Sequence, residues 1–294
     1  MAKKFQGIFP ALTTPFDGED IAVPRFRENI AKFNQLGLTG YVILGSTGEC
    51  VLVSDAEAER LVRAGRETAA PEKMVIVGTG QESTKLTIAF TNRMAAVGAD
   101  AALVRPPSYY KSKMTRDVLR SHFLAVAEGA RIPIILYNVP ANTGITIDAE
   151  LVCELAAHPN ISGLKDSSGL MAYFGNIVSN VPEDFSCMVG SGFSVLPALV
   201  MGGSGAILAV ANAAPEVCLD IYNLFKTGKV DDASKHQLKL IPFNKAVMET
   251  YGLAALKHAM DVRGYYGGPV RRPLLPLDEA AKPEVEALIK ALQE

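Results

Sequence analysis

The sequence has few of the residues that build metal centres, disulfide frameworks or membrane spans. Its four cysteines and four histidines are dispersed through 294 residues, with no CxxC, HExxH or HxH pattern. Such spacing is typical of reduced thiols in a cytosol-like compartment and argues against a zinc site. No apolar run approaches the roughly 18 residues of a membrane span, and no apolar segment follows Met1–Phe5. We therefore expect a cytoplasmic protein without a membrane span or a secretory signal.

The chain also lacks an excess of charge and the usual nucleotide motifs. Its 29 basic residues face 31 acidic ones, which leaves a net charge of −2 and no overall basic field to attract nucleic acid. No GxGxxG follows the first candidate strand, and the one loop that resembles a phosphate loop lacks the following Lys-Ser/Thr. Nucleic-acid binding and a nucleotide cofactor are therefore not expected.

The chain does contain short apolar runs that recur at regular intervals, each followed by a turn and an amphipathic segment. The eight candidate strands are Gly7–Thr13, Gly40–Leu44, Met74–Thr79, Ala101–Arg105, Ile134–Tyr137, Ile161–Lys165, Phe185–Gly190 and Gly205–Leu208. Their spacing is that of βα units of roughly 30 residues. Because the runs are almost continuously apolar, they indicate parallel strands covered on both faces. Eight units favour an α/β fold of the closed (β/α)8 TIM-barrel type over an open sheet.

Helix signals and one break divide the chain further. Ser54 and Glu57 have the spacing of a capping box at the start of a helix. We expect the barrel to occupy residues 1–225. Residues 226–294 have helical periodicity with a break at Tyr265–Pro269, and no flexible linker precedes them. They are expected to form C-terminal helices packed on the barrel within the same domain.

The two strand ends after runs five and six carry Tyr137 and Lys165. Active sites of such barrels lie at the carboxyl ends of the strands, and neighbouring strands would place these two side chains together. A lysine amine partly removed from water can form a Schiff base, and a phenol beside it can move the protons. The alternatives are a lysine that reaches solvent or pairs with Asp166, and a tyrosine that fills the barrel.

Three further turns could contact a ligand. Gly45–Glu49 would expose backbone N–H groups beside the hydroxyls of Ser46 and Thr47, which suits a carboxylate, although a simple tight turn would look the same. Gly190 follows strand seven and would leave room for a ligand. Arg105, at the end of strand four, could bind a second carboxylate of a dicarboxylic substrate. The alternative for Arg105 is a surface arginine that shields the turn or pairs across subunits.

These motifs occur in a familiar order. They are Gly45-Ser-Thr-Gly-Glu49, Tyr109-Tyr110, Tyr137-Asn-Val-Pro140 with Thr143-Gly144, Gly163-Leu-Lys-Asp166 and Gly202-Gly-Ser-Gly205. Together they resemble the dihydrodipicolinate synthase and N-acetylneuraminate lyase superfamily of pyruvate-type class I aldolases. The resemblance extends from Gly7 to about Leu277.

The resemblance implies a role for individual residues. Lys165 matches the imine-forming lysine, Tyr137 the proton-relay tyrosine, and Ser46 the hydroxyl that links it to a second tyrosine. That second tyrosine matches Tyr110, donated across a tight interface, which implies a homodimer or homotetramer. Thr47 matches the cradle for the carboxylate of the 2-oxo acid, and Ile207 an apolar wall near the imine. The implied chemistry needs no metal and no organic cofactor, because the lysine itself supplies the electrophilic iminium.

One departure bears on the substrate. Dihydrodipicolinate synthases typically carry arginine two residues after the proline of the strand-five motif, where this chain has Asn142. An amide cannot act as a bidentate cation. Four other motifs look most like those of 4-hydroxy-2-oxoglutarate aldolase: Pro140-Ala-Asn-Thr-Gly144, Lys165-Asp-Ser167, Glu82-Ser-Thr84 and Gly264-Tyr-Tyr-Gly-Gly-Pro269. This resemblance implies that Ser167 and Asn142 contact the distal part of the substrate. Dihydrodipicolinate synthesis, another 2-oxo-3-deoxy acid aldolase or dehydratase, and a non-catalytic metabolite-binding barrel stay as alternatives.

Overall fold

A computed structural model describes residues 5–293 and shows a barrel of eight parallel strands. The strands are β1 (Gly7–Pro10), β2 (Gly40–Ile43), β3 (Met74–Gly78), β4 (Ala101–Val104), β5 (Ile134–Asn138), β6 (Ile161–Asp166), β7 (Ser186–Val189) and β8 (Gly205–Leu208). From β2 to β8 each strand pairs with the next, and β8 pairs with β1. A bridge between Ala11 and Val42 joins β1 to β2 and closes the ring. The predicted (β/α)8 barrel is confirmed.

The strand ends differ slightly from the predicted ones. The first strand leaves its ladder after Pro10, although its apolar run continues to Thr13. The second ends at Ile43, because Leu44 has a φ of 59° and turns the chain out of the strand. Strands five and six each extend one residue beyond the prediction, to Asn138 and Asp166. Hydropathy does not register such ends, since backbone direction rather than side-chain polarity sets them.

Helices alternate with the strands and then continue past the barrel. They are α1 (Val23–Phe33), α2 (Asp55–Thr68), α3 (Thr84–Ala96), α4 (Arg116–Gly129), α5 (Pro140–Thr143), α6 (Ala149–Leu155), α7 (Met171–Asn180), α8 (Val195–Val200), α9 (Pro215–Lys226), α10 (Val230–Lys245), α11 (Leu253–Val262) and α12 (Lys282–Ala291). The predicted capping box is confirmed, with Ser54 Oγ accepting from Glu57 N and the Glu57 carboxylate accepting from Ser54 N. A small hairpin of Phe16–Asp17 and Asp20–Ile21 follows β1.

Two apolar layers follow from the alternation of side chains along the strands. One set points outward against the helices, and the other fills the barrel. The interior set includes Phe9, Ile135, Met188 and Ile207, all without solvent exposure. Tyr137 belongs to the same interior set, so the barrel core ends at the level of the predicted site.

The C-terminal extension, residues 226–293 of the described chain, packs on the barrel through α10, which contacts α8 and α9. Helix α10 contains Pro242 and leads into a π-helical turn, Ala246–Thr250. Helix α12 packs against α10 and α11. The expected helical extension is confirmed. Among residues 5–293, no helix is long and apolar enough to cross a membrane.

Candidate active site

The carboxyl ends of the strands open into one large cavity of about 660 Å3, here called the strand-end pocket. It lies where active sites of such barrels lie. The predicted site residues that line it are Ser46, Thr47, Tyr137, Asn142, Lys165, Ser167 and Gly190. Tertiary folding thus brings together side chains from loops that are more than one hundred residues apart in the chain.

Lys165 ends the apolar part of β6 and is almost wholly buried, with 4% of the residue exposed. Its Cα is paired in register with that of Tyr137 on β5. The amine Nζ lies 4.5 Å from the centre of the Tyr137 ring. The lysine therefore does not reach solvent, in contrast to one of the alternatives from the sequence. It presents its amine to the pocket beside a phenol.

Tyr137 connects the barrel core to the loop after β2. Its ring packs within the interior core, and its hydroxyl lies 3.4 Å from Ser46 Oγ. Either oxygen can be the donor, so the contact can pass a proton in either direction. Tyr137 thus fills the barrel with its ring and also lines the pocket, and its role in moving protons stays a prediction.

The loop after β2 is held in an unusual backbone conformation. Leu44 and Glu49 flank it with φ values of 59° and 54°, and Gly48 is packed so closely that a Cβ would lie 3.0 Å from Leu12 O. Ser46 and Thr47 lie between them in a short 3-10 turn and line the pocket. The turn is therefore not a free surface loop.

Gly190 makes room for the lysine. A Cβ at this position would lie 2.8 Å from Lys165 Cε and 1.9 Å from Ser167 Oγ. Its amide donates to Asp166 O at 2.6 Å. Any larger residue here would force the side chains of Lys165 and Ser167 to shift, which accounts for a glycine directly after β7.

Asp166 and Asn138 form a buried link that the sequence analysis did not assign to the site. Asp166 accepts from Asn138 Nδ2 and from Ser168 Oγ, each at 2.8 Å. Burial raises the pKa of the Asp166 carboxyl, and these hydrogen bonds oppose the rise. The suggested Lys165–Asp166 pair is not formed, because alternation along β6 directs the two side chains to opposite faces. The signal available in the sequence was position: Asn138 directly follows Tyr137, and Asp166 directly follows Lys165, on two neighbouring strands.

Arg105 does not line the strand-end pocket. Its guanidinium pairs with Glu82 at 2.9 Å, beside a separate small cavity of about 70 Å3 next to Ser46 and Tyr137. Burial acts to raise the pKa of the Glu82 carboxyl, but hydrogen bonds from the Tyr109 amide and from Arg105 lower it below the ordinary value. In this structure Arg105 is placed as the alternative has it, beside the turn that Glu82 holds, and its contact with a distal carboxylate stays a prediction.

Tyr110 lies outside the strand-end pocket of its own chain. It is 70% exposed and packs edge-on against Tyr109, with ring centres 5.1 Å apart. Glu82 fixes the turn before these rings by accepting from the amides of Ser108 and Tyr109, both at 2.8 Å. The ordered turn presents two aromatic rings to the surroundings.

Part of the pocket wall comes from the C-terminal extension, which sequence analysis assigned to packing alone. The wall residues from it are Val247, Met248, Glu249, Gly252, Leu253 and Leu256. The signal available in the sequence was Pro242, which marks this helix as irregular because a proline removes one backbone hydrogen bond and clashes with the preceding turn. Ile207 lies below the pocket within the barrel interior.

The pocket combines apolar walls with hydroxyl groups and one amide. Its hydroxyl residues, besides Tyr137, are Ser46, Thr47, Ser167, Ser168, Ser191 and Ser194. Within the described chain, Lys165 is its one basic residue and Glu249 its one carboxylate. Residues 5–293 contain no group of three His, Cys, Asp or Glu side chains placed to hold a metal ion.

A buried lysine beside a tyrosine at the mouth of a (β/α)8 barrel defines the class of Schiff-base-forming carbon–carbon lyases. Family comparison agrees, since residues 4–292 match the Dihydrodipicolinate synthetase family. The chain belongs to that family and is an enzyme of this class. Curated relatives named 4-hydroxy-tetrahydrodipicolinate synthase include those of Methanospirillum hungatei, with 36% identity over 98% of both chains, and Archaeoglobus fulgidus, with 35% identity over 98% and 99%.

Solved structures agree with the fold. Dihydrodipicolinate synthase from Thermotoga maritima has a TM-score of 0.94 at 27% identity, covering 98% of this chain and 99% of that one. YagE, a prophage protein of this family from E. coli in complex with pyruvate, has a TM-score of 0.92 at 27% identity over 99% of both chains. The relatives support the synthase alternative and give no support to the expectation of 4-hydroxy-2-oxoglutarate aldolase.

Proposed function

We propose that the chain holds pyruvate as a Schiff base on Lys165 and joins it to an aldehyde, in the manner of a 4-hydroxy-tetrahydrodipicolinate synthase. The observation that carries the proposal is one group of three side chains. Lys165 Nζ lies 4.5 Å from the Tyr137 ring centre, and the Tyr137 phenol lies 3.4 Å from Ser46 Oγ. The names of relatives that share 36% and 35% identity support the choice of reaction.

In the proposed reaction, the neutral amine of Lys165 attacks C2 of pyruvate, and the carbonyl oxygen leaves as water. Loss of a C3 proton from the resulting iminium gives an enamine, whose C3 attacks the carbonyl carbon of aspartate semialdehyde. The amino group that came from aspartate semialdehyde then attacks C2 of the new iminium, and departure of the Lys165 amine leaves the cyclic imine product and the free lysine. Tyr137 moves the protons through Ser46 to Tyr110 of a second copy.

The remaining pocket residues would hold the substrates. The hydroxyl of Thr47 and the N–H groups of its loop would bind the carboxylate of pyruvate, since such an arrangement of donors suits an anion. Ser167 and Asn142 would contact the second substrate. Ile207 would pack below the imine as an apolar wall.

A second candidate is an aldolase that cleaves a hydroxylated 2-oxo-3-deoxy acid to pyruvate and an aldehyde. The observation that favours it is the lining of the pocket. Six aliphatic hydroxyls and Asn142 line it, and among the described residues Lys165 is the one cation that does so. A hydroxylated tail would find donors and acceptors there, whereas a second carboxylate would find Glu249 and no arginine. The Lys165 chemistry is the same in both candidates.

Borohydride trapping tests the shared step. With pyruvate and borohydride, the wild-type protein should gain a covalent adduct at Lys165, and Lys165→Ala should gain none. A wild-type protein that stays unmodified would overturn the Schiff-base mechanism. Turnover of pyruvate with aspartate semialdehyde, compared with cleavage of 2-oxo-3-deoxy sugar acids and 4-hydroxy-2-oxoglutarate, then separates the candidates. Adduct formation without any turnover would favour a metabolite-binding barrel.

The assembly we propose is a homodimer or homotetramer in which Tyr110 completes a neighbouring site. Exposed apolar side chains support it, because Tyr109, Tyr110 and Val51 are 79%, 70% and 75% exposed. An aromatic pair on an ordered turn is typical of a protein interface. Sedimentation of wild type and Tyr110→Ala tests whether copies associate.

The compartment we propose is the cytoplasm. Three cysteines are free thiols, with Cys218 buried and Cys50 and Cys153 partly so. Burial raises the pKa of the Cys218 thiol, which keeps that thiol unreactive. A reducing compartment suits such a chain. Fractionation of the producing cells checks the location.

A further inference from the structure

Two strained residues bracket the loop that carries Ser46 and Thr47. Leu44 has a φ of 59° and Glu49 a φ of 54°, and within residues 5–293 no other non-glycine residue has a positive φ. Such conformations cost on the order of 1 kcal/mol each and persist where the surroundings enforce them. The surroundings of Glu49 therefore show what enforces the shape of this loop.

Glu49 is held by a fully buried ion pair with the C-terminal extension. Its Oε1 lies 2.6 Å from Lys257 Nζ on α11, and both side chains are 1% exposed. Its Oε2 accepts from the amide of Arg271 at 2.8 Å. Lys257 Nζ also donates to Thr14 O at 2.9 Å and to Pro269 O at 2.7 Å. Four separate chain segments thus meet at one pair of charges.

The pair is poorly explained as a source of stability alone. Burial lowers the pKa of the Lys257 amine, and the Glu49 carboxylate acts to raise it, which shows that the pair offsets a desolvation cost. Apolar residues of the same volume often stabilise a core as well as or better than a buried ion pair. An ion pair is more specific than an apolar contact. It fixes the position of one carboxylate against one partner, and the fixed side chain in turn favours one backbone conformation.

We propose that Glu49 and Lys257 are positioning residues that preset the loop of residues 45–48 for the carboxylate of the 2-oxo acid. The loop begins directly after β2 and ends at Glu49, so the ion pair decides how its N–H groups and the Thr47 hydroxyl face the pocket. Thr14 Oγ1 adds a second anchor by donating to Gly48 O at 2.6 Å. The inference rests on the proposed function, in which this loop binds pyruvate.

The test removes both charges together, because a single substitution would leave a buried charge unpaired. In E49Q/K257M, the pyruvate concentration that gives half-maximal borohydride trapping should rise at least about tenfold, because a loop displaced by a fraction of an ångström binds the carboxylate poorly. Trapping at saturating pyruvate should stay within about twofold of wild type, since Lys165 and Tyr137 are held by β5 and β6. A merely structural role would lower the folded fraction without moving the half-saturation point.

A matched control removes the ion pair between Arg263 and Glu216, whose N and O atoms are 3.0 Å apart. This pair also joins the extension to the barrel helices but contacts no residue of the loop. R263M/E216Q should keep the wild-type half-saturation point. Should E49Q/K257M fold poorly, E49G/K257M serves instead, because glycine adopts the positive φ without strain. It should show the same rise.

Two outcomes overturn the inference. One is a folded E49Q/K257M or E49G/K257M with the wild-type half-saturation point. The other is an equal rise in R263M/E216Q, which would assign the effect to docking of the extension in general. Failure of the wild-type protein to trap pyruvate at all would be a different result, because it would refute the proposed function itself.

Discussion

At the scale of single residues, free space around the amine of Lys165 is the limiting feature of the site. Gly190 leaves that space, and a Cβ there would lie 2.8 Å from Lys165 Cε and 1.9 Å from Ser167 Oγ. We expect Gly190→Ala to lower the rate of borohydride trapping at least about a hundredfold, because displacement of the amine by about 1 Å costs that much. Mass spectrometry of the trapped protein measures it.

Gly37→Ala is the matched control for that variant. A Cβ at Gly37 would lie 3.9 Å from Leu219 Cδ2, an ordinary van der Waals contact. It should trap pyruvate at the wild-type rate. Unchanged trapping in Gly190→Ala would contradict the importance of this space.

A second residue-scale prediction concerns Asn142, which lines the pocket without adding a charge. Asn142→Arg would place a cation beside Lys165, where a carboxylate on the aldehyde substrate would bind. We expect kcat/KM for aspartate semialdehyde to rise about tenfold or more, because a charge-assisted bidentate pair is worth roughly 1.5–3 kcal/mol. Steady-state assays measure it, with a neutral hydroxylated substrate as the reference. A fall in kcat/KM for aspartate semialdehyde would contradict it.

At the scale of secondary-structure elements, the helical layer contains a pH-sensitive contact. His122 on α4 shares a hydrogen bond of 2.8 Å with Thr84 on α3. Burial lowers the pKa of His122 to about 4, and the nearby Glu82 carboxylate partly opposes this. The unfolded chain therefore binds a proton at higher pH than the folded one.

The stability of the protein should accordingly fall as the pH drops from about 6.5 to about 4. The His122 contribution to the unfolding free energy is fully present above pH 6.5 and is lost below it, by up to about 3 kcal/mol. Urea unfolding at several pH values measures the fall. His122→Gln, which keeps a partner for Thr84 but does not titrate, should show a smaller fall; an identical fall would assign it to other groups.

At the scale of the whole molecule, the prediction concerns which chain supplies Tyr110. Mixed dimers of Lys165→Ala and Tyr110→Ala subunits should regain roughly half of one wild-type dimer's activity, because one of their two sites receives Lys165 from one chain and Tyr110 from the other. Co-expression with two affinity tags yields such dimers. Mixed dimers no more active than either parent would mean that Tyr110 does not act across an interface.

Most of the barrel was predictable because its strands are buried on both faces. Continuous apolar runs such as Ile134–Tyr137 report that burial, and their repeat reports the βα unit. Strand ends were less predictable, since Leu44 leaves β2 through a left-handed backbone conformation that hydropathy does not register. Lys165 and Tyr137 were predictable as polar residues that close apolar strands.

The sequence could not place side chains whose positions depend on distant partners or on irregular turns. Arg105 directly follows β4, but it pairs with Glu82 and does not line the strand-end pocket. Glu249 comes to the pocket through a π-helical turn after Pro242. Neither position follows from local periodicity, because each depends on a partner that is distant in sequence or on an irregular turn.

Local chemistry thus specified the chain's parallel strands, its capping box, and the lysine and tyrosine that follow the apolar runs of β6 and β5, because burial and capping leave periodic marks in the sequence. Tertiary structure alone decided that Glu49 meets Lys257, more than two hundred residues away, and that the extension supplies a wall of the pocket. The physical reason is closure of the barrel. It brings strand ends and the C-terminal helices to one rim, where contacts are set by shape and charge rather than by distance along the chain.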